Sequence, residues 1–445
     1  MYLNYKILIT LLLLSAQSSL LGEWPNWRGP NFDGAVKNEE SYPVSFDKEN
    51  GVKWKVNLEG ASASTPIIYG EYVFLSGTRQ PTGDDSGHAL LAICFNRNTG
   101  EELWSNIAGS GYKPGNKDGS VLQLDSRSNY SSPSPVVSKD FAVFFYGNGD
   151  LVCFDHSGKL QWRRNIQRDY GDFCFQWTFS ASPTLYKGHI FLPVLQRDEL
   201  VHGRGNPNAK SFILCLDLIS GQTVWKHNRE TLARKESRES FSTIIPFNSE
   251  LLVAGGDFLT SHDPLTGKEL WRWGTWNPNH KQEWWRLVPS PVVGSNKILV
   301  CAPKNAPVFA VSPPNGSNKV ELAWNTSANK SITSDVPTPL HYKGNFFILS
   351  DLRKNLSKVS PKNGSLIWQI NLPGKYKWRS SPTGADGKIY LMNHNAEVLV
   401  VSAENGKILH SVKMGGEYDD QTRSSIALSG GQLFIRTNEK LYCIE

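Results

Sequence analysis

The sequence lacks the short motifs that most directly reveal an enzyme. It contains no Walker loop, no Gly-x-Gly-x-x-Gly, no Gly-x-Ser-x-Gly and no His-Glu-x-x-His. Phosphate cradles, nucleophile elbows and the common zinc helix are therefore unsupported. The ten His residues are scattered without ligand-like spacing, and the formal charge of +6 is not gathered into a basic run. The residues thus give no support for a metal site or for nucleic-acid binding.

Cysteine is scarce as well, and no two of the six Cys residues are adjacent. Four of them occupy equivalent places, one or two residues before the turn residue that ends an apolar strand: Cys94, Cys153, Cys215 and Cys443. Such places need a small apolar side chain, a role that free Cys fills well. We therefore predict four free, buried thiols rather than a disulfide framework, and the sequence leaves Cys174 and Cys301 undecided.

Long apolar runs are missing beyond the N-terminus. Residues 1–22 contain Lys6, a largely apolar run over 7–14 and a plausible cleavage site at 16–18, which is typical of a secretory signal peptide. No Cys follows the run, so a lipoprotein anchor is not favoured. We expect an exported protein, periplasmic or secreted, with an N-terminal extension over 23–46 that packs on a single domain over 47–445 and no transmembrane segment.

What the chain does contain is a repeat. Seven times an apolar stretch ends in Asp, Asn or Ser, passes through turn residues to a Gly, and reaches a Trp or its substitute. The seven turns, each with its following residue, are 96–100 (Trp104), 155–158 (Trp162), 217–221 (Trp225), 263–267 (Trp271), 312–316 (Trp324), 360–364 (Trp368) and 402–406 (His410). A strand–turn–strand unit with a period of roughly 40 to 60 residues predicts the blades of a β-propeller.

The ends of the chain set the number of blades. A Ser, Thr or Pro cluster opens an apolar strand eight times: Ser64-Thr65-Pro66, Ser132-Pro133, Ser182-Pro183, Ser242-Thr243, Ser290-Pro291, Thr338-Pro339, Ser381-Pro382 and Ser424-Ser425. The last repeat stops before its turn, whereas residues 50–56 read as a turn end followed by a strand with Trp54. Joining the two predicts an all-β, eight-bladed propeller of four-stranded antiparallel blades, closed by the N-terminal outer strand.

The repeated residues fit structural roles. The Asp, Asn or Ser can accept hydrogen bonds from backbone N–H groups of its own turn, and the Gly can adopt the positive φ that a tight hairpin needs. The Trp lies in the outer strand, where its ring can fill the wedge between neighbouring blades. We therefore interpret Trp54 and the six repeated Trp residues as packing residues.

A ligand site is expected on the rim formed by the segments that precede the inner strands. Arg and aromatic residues recur there, which favours a planar or anionic ligand bound by stacking and bidentate hydrogen bonds. The alternative is that these Arg side chains only satisfy carbonyls and carboxylates across the channel. The rim candidates are Arg127, Tyr130, Trp177, Arg238, Trp285, Arg286, Asp335, Trp378, Arg379 and Arg423.

Two insertions lengthen the third and fourth repeats. Residues 196–207 include His202 and Arg204, and residues 273–285 include Trp273, Trp276 and Trp284. Such loops can supply specificity, and their aromatic residues can equally cover a neighbouring blade. The sequence leaves both interpretations open.

The sequence combines Ser-Pro, an apolar strand, Leu-x-Cys-Phe-Asp as at 151–155, a turn Gly and a Trp. This combination resembles the pyrroloquinoline-quinone-type propeller repeat over nearly the whole chain after the leader. Relatives with this repeat include quinoprotein alcohol dehydrogenases, the outer-membrane assembly scaffold BamB and exported quinoprotein-like propellers of uncertain function. The stretches 24–31, 271–278 and 380–387 look most like the third group. The dehydrogenases clamp the quinone between a Trp and a disulfide of adjacent Cys, beside calcium and an Asp base. Here no Cys pair is adjacent, and no cofactor residue is assigned.

Three functions are compatible with the sequence. The missing catalytic motifs favour a non-catalytic, monomeric binding or scaffold module for a protein, peptide or glycan. The resemblance implies, as an alternative, a divergent alcohol or sugar dehydrogenase that uses pyrroloquinoline quinone with calcium. The exported location and aromatic loops allow a polysaccharide hydrolase or lyase with paired carboxylates.

Overall fold

The computed structural model describes residues 22–37, 40–80, 87–116, 118–120, 122–124, 128–274, 276–315, 319–417, 419 and 421–445. Except for Gly22, the predicted signal peptide lies outside these residues. The chain forms eight four-stranded antiparallel sheets, which confirms the predicted eight-bladed propeller. No helix within these ranges combines the length and apolar character that crossing a membrane requires.

The first strand, β1 (Val52–Asn57), belongs to the last blade, and blades 1 to 4 follow it along the chain. Blade 1 contains β2 (Ile67–Tyr69), β3 (Tyr72–Arg79), β4 (Ala89–Asn96) and β5 (Glu102–Ser110). Blade 2 contains β6 (Val136–Val137), β7 (Phe141–Phe145), β8 (Asp150–Asp155) and β9 (Leu160–Asn165). Blade 3 contains β10 (Thr184–Tyr186), β11 (His189–Val194), β12 (Phe212–Asp217) and β13 (Thr223–Asn228). Blade 4 contains β14 (Ile245–Phe247), β15 (Glu250–Gly255), β16 (Phe258–His262) and β17 (Glu269–Gly274).

The remaining blades have the same order of strands from the channel outward. Blade 5 contains β18 (Val292–Gly294), β19 (Lys297–Cys301), β20 (Val308–Ser312) and β21 (Glu321–Asn325). Blade 6 contains β22 (Leu340–Tyr342), β23 (Asn345–Ser350), β24 (Asn355–Val359) and β25 (Leu366–Asn371). Blade 7 contains β26 (Thr383–Ala385), β27 (Lys388–Met392), β28 (Glu397–Ser402) and β29 (Ile408–Lys413). Blade 8 contains β30 (Ala427–Ser429), β31 (Gln432–Arg436), β32 (Lys440–Ile444) and β1.

Helical structure is confined to connections. The short helix α1 (Ile166–Tyr170) follows blade 2 and begins at Asn165, whose side chain accepts a hydrogen bond from the N–H of Arg168. Single 3₁₀ turns occur at Lys235–Arg238 and Pro278–His280.

The ring is closed by pairing between the two ends of the described chain. Strand β1 pairs with β32 in antiparallel register, from Val52 opposite Ile444 to Asn57 opposite Lys440. The fourth strand of blade 8 is therefore supplied from residues that precede blade 1. This pairing confirms the predicted closure.

Neighbouring blades are joined by the repeated Trp residues. Six indole N–H groups donate to a backbone carbonyl in the turn of the next blade at 2.7–3.0 Å: those of Trp54, Trp104, Trp162, Trp225, Trp324 and Trp368. The seventh, Trp271, donates to Glu250 of its own blade, and its ring is buried between blades 4 and 5. In blade 7 His410 stands at the Trp position, with its Nε2 2.7 Å from the carbonyl oxygen of Phe46. The packing role predicted for the Trp residues is confirmed.

All six Cys residues are free and buried, as predicted for four of them. Cys94, Cys153, Cys215 and Cys443 each lie on a third strand opposite the Trp of the neighbouring outer strand. Cys301 ends β19, and Cys174 lies in the connection between blades 2 and 3. The thiols therefore serve as small core side chains.

A closed ring of hydrogen bonds surrounds the central channel. The first strands of the blades line the channel, and two residues before each of them a Ser or Thr accepts the backbone N–H of the equivalent residue in the preceding blade, at 2.9–3.2 Å. The eight members are Thr65, Ser134, Ser182, Thr243, Ser290, Thr338, Ser381 and Ser425. In blade 2 this residue is Ser134 of Ser134-Pro135, so the assignment of Ser132-Pro133 as the strand opening was wrong by two residues. The ring explains why a hydroxyl recurs at this place in every blade.

The segment 22–37, here called the strap, lies against first strands on several sides of the channel. Trp24 exchanges two backbone hydrogen bonds with Ile68 in blade 1, and Ala35 forms a parallel bridge with Gly384 in blade 7. Between them, the buried guanidinium of Arg28 donates to the carbonyl oxygens of Pro339 and Pro382, at 2.9 and 3.0 Å. The strap thus spans the channel, while the division of the chain at residue 47 stays a prediction.

Candidate functional site

The channel contains a cavity of about 190 Å³ on one face of the propeller. In an antiparallel blade, the connection to the next blade and the connection between the second and third strands lie at the same end, here called the loop face. The strap contacts the first strands nearer the opposite end, where the Gly-containing turns lie. The cavity walls come from the starts of these strands, so the cavity opens toward the loop face.

The walls combine three cations with aromatic, aliphatic and hydroxyl groups. The cations are Arg286, Arg379 and Arg423. The aromatic residues are Trp27, Trp177 and Phe241, and the aliphatic residues are Ala63, Val288 and Val336. The hydroxyl groups belong to Ser128, Ser132, Ser134, Thr178, Ser180, Ser182, Thr243, Ser381 and Ser425. No Asp or Glu side chain lines the cavity among the described residues.

Two of the arginines have carboxylates near them that lie outside the cavity lining. Arg379 donates from Nε to Asp351 at 2.8 Å, and both side chains are buried. Arg286 lies 3.7 Å from Asp335 and 3.9 Å from Glu236, both longer than a hydrogen bond. Burial raises the pKa of Asp351, and the charge of Arg379 opposes that rise. The carboxylates therefore orient the cations from outside the cavity.

The aromatic walls come from two unrelated parts of the chain. Trp177 precedes the first strand of blade 3, and its indole N–H donates to Glu236 at 3.4 Å. Trp27 belongs to the strap and lines the same cavity. The sequence placed Trp177 on the rim but missed Trp27, because nothing local shows that residues before the first repeat return to the channel.

A second buried ion pair lies close to the cavity wall. Glu239 is fully buried, accepts the N–H of Gln176 at 2.9 Å and pairs with Arg197. Its Oε2 atom has no hydrogen-bond partner in the part of the chain that the structure describes. Burial raises the pKa of Glu239 to about 7, although the charge of Arg197 opposes the shift. This carboxyl therefore titrates near neutral pH.

The remaining rim candidates lie away from the cavity wall. Tyr130 is half-buried against the core of blades 1 and 2, and Trp285 packs against the core of blades 4 and 5. Trp378 is completely buried and donates to the carbonyl of Pro373. Arg238 pairs with Asp198 at 3.1 Å, and Asp335 accepts the N–H of Lys304 at 2.7 Å. Arg127 lies outside the described residues.

The structure separates the roles of the insertion residues. Trp273 and Trp276 are buried in the core between blades 4 and 5, whereas half of Trp284 is exposed on the loop face. The charged groups of Arg197 and Lys235 lie 5.7 and 5.5 Å from the centre of the Trp284 ring. Trp273 and Trp276 therefore cover a neighbouring blade, which was one of the two roles that the sequence left open for these loops.

The cavity residues do not fit a calcium ion with pyrroloquinoline quinone. Calcium is bound by oxygen ligands, chiefly carboxylates, and none lines this cavity among the described residues. The six thiols are buried outside the cavity wall, so a clamp of adjacent Cys has no counterpart. Within the described ranges, no group of three or more His, Cys, Asp or Glu is placed to hold a metal.

Comparison with known proteins identifies similar chains. The family model described as outer membrane protein assembly factor BamB matches residues 42–192, 89–336 and 304–445. None of the curated proteins matches the chain.

Three solved structures illustrate the shared architecture. BamB from Moraxella catarrhalis is 11% identical with a TM-score of 0.59, covering 88% of this chain and 99% of that chain. Quinohemoprotein alcohol dehydrogenase from Comamonas testosteroni is 13% identical with a TM-score of 0.62, covering 97% and 82%. Quinohemoprotein alcohol dehydrogenase ADHIIG from Pseudomonas putida HK5 is 10% identical with a TM-score of 0.62, covering 95% and 80%. At these identities the likeness shows the fold alone.

Proposed function

The chain belongs to the family of the outer membrane protein assembly factor BamB, and on that premise we propose that it is an exported, non-catalytic binding or scaffold protein. Its partner is a protein, a peptide or a glycan, received on the loop face with one group inserted into the cavity. The protein acts as a monomer, without a resident cofactor. The leader at residues 1–22 directs it to the periplasm or the medium.

The cavity is the single observation that carries this proposal. It is lined by three arginines and two tryptophans, with no carboxylate among the described lining residues. General acid–base catalysis by paired carboxylates would need two such groups facing the substrate, so the lining favours binding over hydrolysis. Arginine and tryptophan are also the side chains that dominate binding energy at interfaces.

An array experiment tests the proposal. Peptide and glycan arrays would be probed with the mature chain, with R286Q/R423Q, and with R163Q/R272Q as a matched control. Arg163 and Arg272 are exposed on the outer strands of blades 2 and 4, so the control loses the same charge away from the cavity. We expect ligands that are retained by the parent and the control and lost by R286Q/R423Q.

Two results would contradict the proposal. If the parent chain retains no member of either array, a binding role on this face is not supported. If R286Q/R423Q retains the same ligands as the parent, the site lies elsewhere. Saturable binding of pyrroloquinoline quinone with calcium, followed by quinone absorbance and melting temperature, would favour the dehydrogenase alternative.

A further inference from the structure

The hydroxyl ring that joins the blades leaves unused hydrogen-bond donors. Each of its eight hydroxyl oxygens accepts one backbone N–H from the preceding blade. A Ser or Thr hydroxyl carries one proton of its own in addition to its acceptor sites. Across the described chain, no ring hydroxyl donates to a protein acceptor. The ring therefore offers protons to whatever occupies the channel.

Five of the eight ring members line the cavity. They are Ser134, Ser182, Thr243, Ser381 and Ser425, each at most 6% exposed. The other three, Thr65, Ser290 and Thr338, belong to the same ring but are absent from the cavity lining. A buried hydroxyl whose proton has no acceptor is unfavourable unless a ligand or water accepts it.

Arg286 and Arg379 line the same cavity as these hydroxyl groups. Arg379 uses only its Nε atom in a hydrogen bond to a described residue, which leaves its terminal nitrogens without a described acceptor. Arg286 has carboxylates at 3.7 and 3.9 Å but none at hydrogen-bond distance. Guanidinium groups bind carboxylate and phosphate oxygens through paired N–H donors. Donors of both kinds, neutral and cationic, thus converge where the described wall presents no anionic side chain.

We infer that the cavity binds an oxyanion, a carboxylate or phosphate group of the ligand, through the five ring hydroxyls that line it and the wall arginines together. This inference rests on the proposed binding function and names the group that the partner inserts. The carboxylate of a free small molecule and that of a peptide C-terminus share this chemistry. A cationic group is excluded because its charge would face Arg286 and Arg379 without a compensating carboxylate on the described wall.

The test uses small anions and compares a ring hydroxyl that lines the cavity with one that does not. Phosphate, acetate and glycerol would be titrated into the mature chain at constant ionic strength, following Trp fluorescence and melting temperature. The variants are R286Q, S381A and S290A. Ser381 and Ser290 accept equivalent N–H bonds of 3.0 and 2.9 Å, but only Ser381 lines the cavity. S290A therefore controls for any loss caused by weakening the ring itself.

We expect saturable binding of phosphate or acetate and no response to glycerol. R286Q should weaken that binding about tenfold, because one charge-assisted contact is removed. S381A should weaken it by about threefold to tenfold, whereas S290A should stay within twofold of the parent. Anion binding that S290A weakens as much as S381A would overturn the role of the cavity hydroxyls, and no anion binding by the parent would overturn the inference.

Peptides distinguish the two sources of the carboxylate, a free small molecule and a peptide C-terminus. They also distinguish failure of the oxyanion inference from failure of the proposed binding function. A peptide with a free C-terminus should bind and its C-terminal amide should not, if the partner supplies the carboxylate. Binding of the free anions with no preference between the two peptides would identify a small-molecule ligand. If an array ligand binds through the cavity but neutral analogues bind equally well, the oxyanion inference fails while the binding function stands.

Discussion

Glu239 shows how one buried side chain connects the cavity wall to the stability of the fold. The carboxyl is completely buried, and on the described chain it forms an ion pair with Arg197. Burial disfavours the charged form more strongly than Arg197 favours it, which raises the pKa of Glu239 to about 7. In the unfolded chain this carboxyl returns to its ordinary pKa near 4.5.

The sign of the pH dependence follows from these two values. Between about pH 4.5 and pH 7 the folded state binds the proton more tightly than the unfolded state. The contribution of Glu239 to the free energy of unfolding therefore falls as the pH rises through this window, by up to about 1.4 kcal/mol per pH unit. Above pH 7 the cost of the buried charge is fully present.

We predict that E239Q becomes more stable relative to the parent as the pH rises from 5 to 8. The Gln carries no charge at any pH, and its amide oxygen can still accept the N–H groups of Gln176 and Arg197. Urea unfolding of both proteins at several pH values would measure the difference. E404Q, at an exposed position in the turn between β28 and β29, serves as the control, and its stability should change with pH as that of the parent does. A constant difference between E239Q and the parent would contradict the assigned titration.

At the scale of the element, most neighbouring blades meet where a Trp ring of one blade packs against a turn Gly of the next. An added Cβ at Gly100, Gly158, Gly221, Gly267 or Gly364 would lie 2.5–2.7 Å from the Trp ring of the preceding blade. These glycines also have φ between +67° and +85°, a region that L-residues rarely adopt. Glycine is thus required for two reasons: the turn needs a positive φ, and the Trp ring leaves no space for a Cβ atom.

The two requirements can be separated with a pair of substitutions. Gly267 and Gly188 have nearly equal φ of +73° and +77°, but only Gly267 contacts a Trp ring, that of Trp225. We predict that G188A costs about 1 kcal/mol of unfolding free energy through backbone strain alone. G267A should cost a further 1 to 3 kcal/mol or so because the ring must move.

Urea unfolding of the two variants under identical conditions would measure this difference. Equal losses for G188A and G267A would show that the Trp contact adds nothing beyond the turn conformation. If the unfolding free energies of both variants depend on urea concentration with the same slope, only stability has changed.

The blade repeat could be predicted because its signals are local. The turn residue, the Gly and the Trp lie within about ten residues of one another, and each has a physical reason to recur. His410 could be placed as a substitute for Trp by position, and in the structure its ring nitrogen makes the equivalent contact to a carbonyl. The error at Ser132 arose because Ser132-Pro133 and Ser134-Pro135 are identical dipeptides, and only the ring of hydrogen bonds distinguishes them.

The cavity could be predicted only in part. Arg286, Arg379, Arg423 and Trp177 lie directly before inner strands, so the order of the chain already placed them on the rim. Trp378 and Trp285 share that position, but their rings turn into the blade cores. Which way a rim side chain turns depends on packing between blades, which a single sequence does not encode locally.

At the scale of the whole molecule, two long-range connections act on the ring of blades. Strand β1 closes it at the circumference by pairing with β32. The strap crosses it at the centre, from Trp24 on blade 1 to Ala35 on blade 7, with Arg28 between. The first connection lies within blade 8, between two strands of one sheet, whereas the second joins blades that are not adjacent.

Because closure does not depend on the strap, its removal should weaken the molecule without opening the ring. We predict that a chain beginning at Lys37 keeps a β-rich far-UV spectrum and a single unfolding transition. It should lose at least about 3 to 5 kcal/mol of unfolding free energy, since the buried ring of Trp24 and the hydrogen bonds of Arg28 are lost. Thermal and urea unfolding would measure both quantities.

The same shortened chain tests whether the strap builds the cavity. It lacks Trp27, which lines the cavity, and the backbone that lies across the channel. Ligand affinity should therefore fall even at temperatures where the shortened chain is fully folded. N31A, at an exposed strap position, is the control and should match the parent in both stability and affinity. If the shortened chain binds the ligand with unchanged affinity, the cavity arginines bind it without a contribution from Trp27.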